Sequence, residues 1–454
     1  MKSLDTVFKA YDIRGTVPDQ LDADTCRSIG AAFARFVCAT HNSSNADGLR
    51  IVLGRDMRPS GVELSAAFAQ GVVSQGVDVI DLGLVSTDLM YFASGNLNAP
   101  GAIFTASHNP AGYNGIKMCL AGAAPIGEET GLQEIKQLAS TFIDPVEKPG
   151  SITSSDLLDA FANHARSFID TKLLKPLKIV ADTANGMGGL VAPAVFGPLG
   201  FDIEYLYIEL DGTFPNHPAD PIQPENLVDL RKRVLEVGAD IGLAFDGDAD
   251  RVFLIDEQAN VVSGSLTTAL VAKGVLAKNP GETVLHNLIC SKSVPEVIRE
   301  GGGNPVRTRV GHSFIKQVMA ETGAIFGGEH SGHYYFRDNY RADSGLIAAL
   351  IVLEQLSVED KPLSALLAPL DRYFASGEIN TKVNDPAGVI DRVSSTYEEF
   401  TQDRLDGLTV DAGSWWFNLR PSNTEPLLRL NLEASSQDEL DEKVKAIRTI
   451  IEKG

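Results

Sequence analysis

The chain is short of basic residues: 39 lysines and arginines stand against 60 aspartates and glutamates, a net charge of −21 over 454 residues. A field of that sign repels nucleic acid and anionic membranes, and no local basic run offsets it, so neither polyanion is an expected partner. Cysteine is equally scarce. Cys26, Cys38, Cys119 and Cys290 are widely spaced and form no CxxC pair, which suggests neither a disulfide framework nor a zinc site and suits a reducing compartment. No apolar run is long enough to span a bilayer, and the opening Met1-Lys-Ser-Leu-Asp-Thr-Val-Phe8 lacks the basic-then-apolar layout of a signal peptide. A soluble, cytoplasmic protein is expected.

What is present is an ordinary globular balance, 44% hydrophobic and 22% charged. At about 150 residues per domain the length suits three modules, with four equally allowed. Short apolar runs precede helical patterns at Leu49 to Gly54 before Ser60 to Gln75, at Leu177 to Asp182 before Gly186 to Leu199, and at Glu282 to His286 before Val294 to Glu300. That is the βα rhythm of a parallel sheet. Proline, glycine and serine gather at Asp144 to Ser155, which reads as a linker, and softer boundaries fall near Glu257 to Asn260 and Pro369 to Asp371. The tail differs: strands at Gly377 to Val383, Trp415 to Leu419 and Leu427 to Leu432, with helices at Ala387 to Thr401 and Gln437 to Glu452, predict a small α+β module with an antiparallel sheet.

Four segments carry chemistry. In Asp246-Gly-Asp-Ala-Asp-Arg251 three carboxylates leave an apolar strand, and an extended chain would point positions i, i+2 and i+4 the same way. Three clustered anions call for a hard cation, and magnesium suits a site that must also leave room for a phosphate oxygen. A calcium EF-hand is excluded by Arg251 at the glycine position and by strand-like flanks. A phosphatase with an aspartate nucleophile stays open, and a solvated acidic turn is disfavoured by the apolar runs on both sides. In Gly101-Ala-Ile-Phe-Thr-Ala-Ser-His-Asn-Pro110 a strand delivers Ser107 to a turn-forming loop. Taken alone, that loop is a hydrogen-bonded turn. To carry a phosphoryl group the hydroxyl needs a base, a metal or concentrated positive charge, for which Arg14, Lys117 and Arg251 are the candidates.

Gly327-Gly-Glu-His-Ser-Gly-His333 offers Glu329 and Ser331 to sugar hydroxyls, against the plain alternative of a glycine-rich connector. Arg420-Pro-Ser-Asn-Thr-Glu-Pro426 offers a guanidinium fork with Ser422, Asn423 and Thr424 as an anion nest, against an ordinary β-turn. A metal loop, a hydroxyl carrier, a sugar reader and a phosphate clamp together make one coherent site for a phosphorylated sugar.

With Tyr11-Asp-Ile-Arg-Gly15 at the front, these motifs stand in an order that resembles the α-D-phosphohexomutases, a family of phosphomannomutases, phosphoglucomutases and phosphoglucosamine mutases. The resemblance spans the chain. It implies four domains around a central cleft, three α/β with mixed sheets and a smaller α+β one, placed here at 1–150, 151–257, 258–370 and 371–454. It further implies a phosphoserine at Ser107, and magnesium held by Asp246, Asp248 and Asp250 together with the seryl phosphate. Glu329 and Ser331 would hold sugar hydroxyls, and Arg420, Ser422, Asn423 and Thr424 the non-reacting phosphate. Arg14, Lys117 and Arg251 would line the transferring phosphate, with His312 and His333 as proton-transfer groups. The implied reaction interconverts mannose 1-phosphate and mannose 6-phosphate through a hexose 1,6-bisphosphate, which also serves as activator; glucose phosphates are the alternative substrates.

Arg-Pro-Ser-Asn-Thr resembles the mannose and glucose branches more than the glucosamine branch, which usually reads Arg-x-Ser-Gly-Thr. The pattern departs at one point: many relatives place lysine directly before the cysteine of the strand at Asn287 to Ser291, whereas here Ile289 precedes Cys290 and the nearest base is Lys292. Two other classes stay open, a magnesium-dependent sugar phosphatase and a non-catalytic sugar-phosphate sensor. Nothing in the sequence separates a monomer from a homodimer.

Overall fold

A computed structural model describes residues 3–41, 48–422 and 427–452. Its backbone forms four sheets in chain order, the first three mixed and flanked by helices, the last purely antiparallel. The fold class is the one expected.

In the first sheet the order is Ile13–Thr16, Tyr113–Leu120, Gly101–Phe104, Arg50–Arg55, Asp78–Leu84 and Ile152–Ser154, with Ala124–Pro125 paired to Tyr113–Leu120. The two pairings among the inner strands Gly101–Phe104, Arg50–Arg55 and Asp78–Leu84 are parallel, as βα connections dictate, while Tyr113–Leu120 runs antiparallel to both its neighbours. Ile152–Ser154 lies in the segment that reads as a linker, and it adds a parallel edge strand beside Val79 to Asp81. Three residues with exposed side chains carry too little hydrophobic pattern to announce a strand.

The second sheet orders Val261–Val262, Val252–Ile255, Ile241–Phe245, Lys178–Asp182 and Asp202–Leu206. The third orders Asn304–Thr308, Thr283–Asn287, Phe326–Gly328 and Tyr334–Phe336, and the fourth Phe374–Lys382, Leu427–Ala434, Trp415–Pro421, Leu408–Asp411 and Thr401–Asp403. The predicted tail helix ends at Thr396 rather than Thr401, because Thr401 already pairs with Asp411 as a strand.

One apolar core runs through the second and third sheets and takes in Leu89, Met90, Tyr91 and Phe92 from the helix Thr87–Asn96. The helix Gly345–Glu359 lies at its centre. Nearly every residue from Gly345 to Ser357 is buried, which fits an all-round apolar sequence rather than an amphipathic one. Among the described residues no helix is long and apolar enough to cross a membrane.

Candidate active site

The strands Ile241–Phe245 and Val252–Ile255 form an antiparallel pair in which Phe245 faces Val252, so the acidic loop between them is a tight turn. The sequence pattern of an extended chain does not hold here. Ala249 takes a left-handed φ of 60°, and the turn itself brings Asp246, Asp248 and Asp250 together. One carboxylate oxygen from each lies within 4.8 Å of the others, and all three side chains are buried.

Two cations answer these charges. Lys117, from Tyr113–Leu120 of the first sheet, donates to Asp248 Oδ2 and Asp250 Oδ2, each at 2.7 Å. Arg251 Nε donates to Asp246 Oδ2 at 2.9 Å. Burial works against the Lys117 ammonium, but the two carboxylates outweigh it and hold the lysine charged well above its ordinary range. Burial likewise raises Asp246 far above a normal carboxyl, with the Asp248 and Asp250 charges adding to it against the pull of Arg251. Lys117 overcomes the burial of Asp248 and keeps it well below the usual range.

The donor set fits a divalent cation. Oδ1 of Asp248 and Oδ1 of Asp250 are buried without a hydrogen-bond partner, an arrangement that is costly for carboxylates unless a cation completes it. Oxygen donors alone, three carboxyl groups among them, are the chemistry of a hard ion such as magnesium.

Ser107 leaves Gly101–Phe104 and enters the same space. Its hydroxyl donates to Asp246 Oδ2 at 2.7 Å and lies 3.2 Å from Arg251 Nη2. The residue holds a left-handed φ of 48°, a conformation that costs a non-glycine residue about 1–3 kcal/mol and persists only where the surroundings impose it. Arg251 Nη2 also donates to His108 Nδ1 at 2.6 Å. Burial first, then the charges of Arg251 and Arg14, push His108 down to about 2, so its ring is neutral and can accept. Arg14 donates to Asn109 Oδ1 at 2.6 Å and to Asp12 at 2.5 Å, while its Nε is buried and unpartnered.

The segment expected to read the sugar turns out from Phe326–Gly328 and returns in Tyr334–Phe336. Glu329 is nearly filled from within: Oε1 accepts from the Gly311 backbone at 3.1 Å and Asn287 at 3.4 Å, and Oε2 accepts from Tyr335 at 2.8 Å. A carboxylate has about four acceptor positions, so this leaves about one for a ligand hydroxyl without exchange. Ser331 Oγ and His333 Nδ1 are hydrogen-bonded at 3.1 Å, and the other ring nitrogen of His333 lies 3.8 Å from Asp250 and 3.9 Å from Asp343. His312 opens the helix His312–Thr322; its side chain lies outside the described residues.

In the fourth sheet Arg420 is largely buried and pairs with Glu378 at 3.3 Å, and Glu378 also holds Arg429 at 3.3 Å. Ser422 is half-buried, 3.5 Å from Arg429 Nη2; Asn423 and Thr424 lie outside the described residues. Lys292 points away from the acidic loop and ties the third sheet to the fourth through Asp411 at 2.6 Å and the Gly413 carbonyl at 2.9 Å.

Sequence reasoning missed several groups. Thr87 donates to Asp248 from both its hydroxyl, at 2.7 Å, and its backbone, at 3.0 Å. Its neighbour Asp88 accepts from Ser344 at 2.7 Å. Lys316, buried against the Tyr91 ring at 3.8 Å, pairs with Asp343 at 3.2 Å. Arg58 in Gly54-Arg-Asp-Met-Arg-Pro-Ser60 is fully buried under the serine loop. Only the last carried a local signal, two arginines and an aspartate crowded into a strand-to-helix turn.

Comparison with known proteins follows the same division into sheets. Models of the phosphoglucomutase/phosphomannomutase family match in sequence: alpha/beta/alpha domain I over residues 5–142, domain II over 156–260, domain III over 263–373 and the C-terminal domain over 378–450. The chain belongs to the phosphoglucomutase/phosphomannomutase family. A phosphomannomutase of Escherichia coli K12 is 41% identical over 446 residues, 96% of either chain. The phosphohexose mutases of Xanthomonas campestris pv. campestris are similar at 40% over 431 residues, 94% of either chain. The crystal structure of a phosphoglucomutase/phosphomannomutase family protein from Burkholderia thailandensis superposes with a TM-score of 0.90 at 35% identity, covering 99% of this chain and 97% of that one. Membership in this family makes the chain an isomerase of the phosphotransferase-mutase type, and its acidic cluster is able to hold a metal.

Proposed function

We propose that the chain is a phosphomannomutase that interconverts mannose 1-phosphate and mannose 6-phosphate through a phosphoserine at Ser107 and a hexose 1,6-bisphosphate. The observation that carries this reading is the position of the Ser107 hydroxyl, 2.7 Å from Asp246 and 3.2 Å from Arg251, against the acidic turn. The names of the similar enzymes support mannose as the sugar.

In the first half-reaction the free hydroxyl of the sugar monophosphate attacks the seryl phosphorus. A sugar O–P bond forms, the Ser107 O–P bond breaks, and the sugar hydroxyl gives up its proton to a base. His333 is the assigned base, held at Nδ1 by Ser331. The departing Ser107 oxygen is stabilised by Arg251, and Arg14 and Lys117 balance charge on the transferring group. The bisphosphate then turns, and its other phosphoryl group returns to Ser107 by the reverse of these steps. Asp246, Asp248 and Asp250 would hold magnesium, which when bound supplies charge neutralisation at the phosphoryl oxygens. Arg420, Ser422, Asn423 and Thr424 grip whichever phosphate is not reacting; a fork and nest of donors accepts the C1 and C6 phosphates alike. Glu329 and Ser331 bind sugar hydroxyls, and His312 is a second proton-transfer group. Mannose and glucose differ at C2 alone, so glucose phosphates are expected as slower substrates. Bisphosphate in trace amounts keeps Ser107 phosphorylated and acts as activator.

The test is Ser107→Ala, assayed with mannose 1-phosphate and a trace of glucose 1,6-bisphosphate, alongside intact mass. Wild-type protein should gain one phosphoryl mass on incubation with the bisphosphate, and the variant should gain none and lose turnover. Near-wild-type turnover in the variant would end this reading.

A further inference from the structure

Among the described residues, Arg58 is the largest of the fully buried side chains. It lies in the turn between Arg50–Arg55 and the helix Gly61–Val73, and all five of its N–H donors are used. Nε donates to Asp56 Oδ2 at 3.2 Å. Nη1 donates to the backbone carbonyls of Pro110 at 2.8 Å and Tyr113 at 2.9 Å. Nη2 donates to the carbonyls of Ser107 at 2.8 Å and Asn109 at 2.6 Å. Four of the five acceptors are main-chain oxygens of the one loop that carries Ser107.

Carbonyl oxygens converging in this way repel one another, and buried without donors they are costly to leave unmade. The loop can therefore keep its shape only around a planar fork with donors on two edges. A lysine, with three donors on a single nitrogen, cannot span four acceptors. Arg58 is itself held from the far side by the second sheet's loop. The Phe214 ring lies 5.1 Å from its guanidinium carbon, and a Cβ on Gly212 would come within 2.6 Å of the Arg58 Cα. No metal-loop carboxylate is among its hydrogen-bond partners.

We propose that Arg58 is the positioning residue of the phosphoryl carrier: it fixes the Ser107 backbone in its left-handed turn so that the same oxygen can give up and take back a phosphoryl group at one place. The inference rests on the phosphoserine reading of Ser107. In a reaction with two transfers the carrier must be found in the same geometry twice, while the sugar turns between them. A displacement of about 1 Å in such a geometry is enough to lower a rate about 100-fold.

The experiment compares Arg58→Lys with wild-type full-length enzyme at saturating magnesium and bisphosphate, with mannose 1-phosphate as substrate. Expected is a fall in kcat of about 100-fold with KM within about threefold, because the phosphate clamp and the sugar-reading loop do not touch Arg58. A purely structural role would lower the melting temperature and leave kcat per folded molecule unchanged. A folded Arg58→Lys enzyme with kcat within threefold of wild type overturns the proposal, as does a loss confined to KM. If that variant does not fold, Asp56→Asn leaves one oxygen to serve both the Arg58 backbone N–H and its Nε, which now take one carboxylate oxygen each, and kcat is expected to fall at least tenfold at constant KM; an unchanged kcat there also overturns it. Intact mass separates the positioning role of Arg58 from the phosphoserine at Ser107. A wild-type enzyme that never carries a seryl phosphate removes the phosphoserine reading itself, whereas a phosphorylated wild type beside a fully active Arg58→Lys removes only the positioning role.

Discussion

Gly247 is where the acidic turn touches the serine loop, and it offers a measurable wedge. A Cβ built there would lie 2.4 Å from the Ser107 carbonyl oxygen, whereas ordinary contacts begin at 3.4 Å. The glycine is not in the left-handed region, so alanine can adopt its backbone and the substitution acts through contact alone. The obstacle is backbone rather than a flexible side-chain tip, so one loop must retreat by about 1 Å. The serine loop is pinned by Arg58, and the acidic turn is pinned by Thr87 and Lys117, so the strain falls on the Ser107 to Asp246 approach. Displacement on that scale predicts a fall in kcat of about 100-fold, or about 2.7 kcal/mol of barrier, with an overpacking cost to stability of about 1–3 kcal/mol. The assay is steady-state kcat and KM for Gly247→Ala with saturating magnesium and bisphosphate, beside a thermal melt. Gly112→Ala is the control, since a Cβ there meets nothing within 4 Å. A folded Gly247→Ala enzyme with kcat within threefold of wild type would refute the idea that the two loops must meet at this spacing.

Two further outcomes are expected. Asp248→Asn leaves one oxygen to serve Thr87, Lys117 and a cation together, so turnover should fall about 100-fold or more and saturate only at higher magnesium; an unaltered magnesium curve rejects the metal assignment. Burial pushes Asp88 up to about 7, against the hydrogen bonds from Ser86, Ser344 and the Leu89 backbone. Its neutral form is favoured by folding, so the associated stability is complete below pH about 4 and is lost as pH rises through about 7, by about 4 kcal/mol at most. Denaturant titrations of wild type and Asp88→Asn between pH 5 and 8 should therefore diverge, the wild type losing stability faster; parallel profiles would remove Asp88 as the source.

The reach of the sequence follows from how local each feature is. Strands and helices announced themselves where apolar spacing was regular, and the serine and aspartate loops did so because each packs its chemistry into six or seven consecutive residues. The tight turn at Asp246 to Arg251 was legible as a cluster but not as a turn, since nothing about Ala249 signals a left-handed residue. Other contacts across long separations left no mark: Arg58 to Ser107 spans 49 residues, Thr87 to Asp248 161, and Asp88 to Ser344 256. Lys292 looked like a base stranded near a family position, and its partner Asp411 lies 119 residues away in another sheet. The edge strand at Ile152–Ser154 was hidden for the opposite reason, being too short and too exposed to have a pattern.

Thr87 and Asp88 are adjacent in the chain yet reach into two different sheets' territory, one to the acidic turn and the other to the cap of the helix Gly345–Glu359. A hybrid enzyme assembled by exchanging the first sheet of one mutase for that of another would carry these two side chains with it. Such a hybrid takes one anchor of its acidic turn and its third-sheet seating from a dipeptide that belongs to neither. Recombination within this fold is therefore constrained at the joints more than in the sheets, and matching residues 87 and 88 to Asp248 and Ser344 is the first condition a working chimera has to meet.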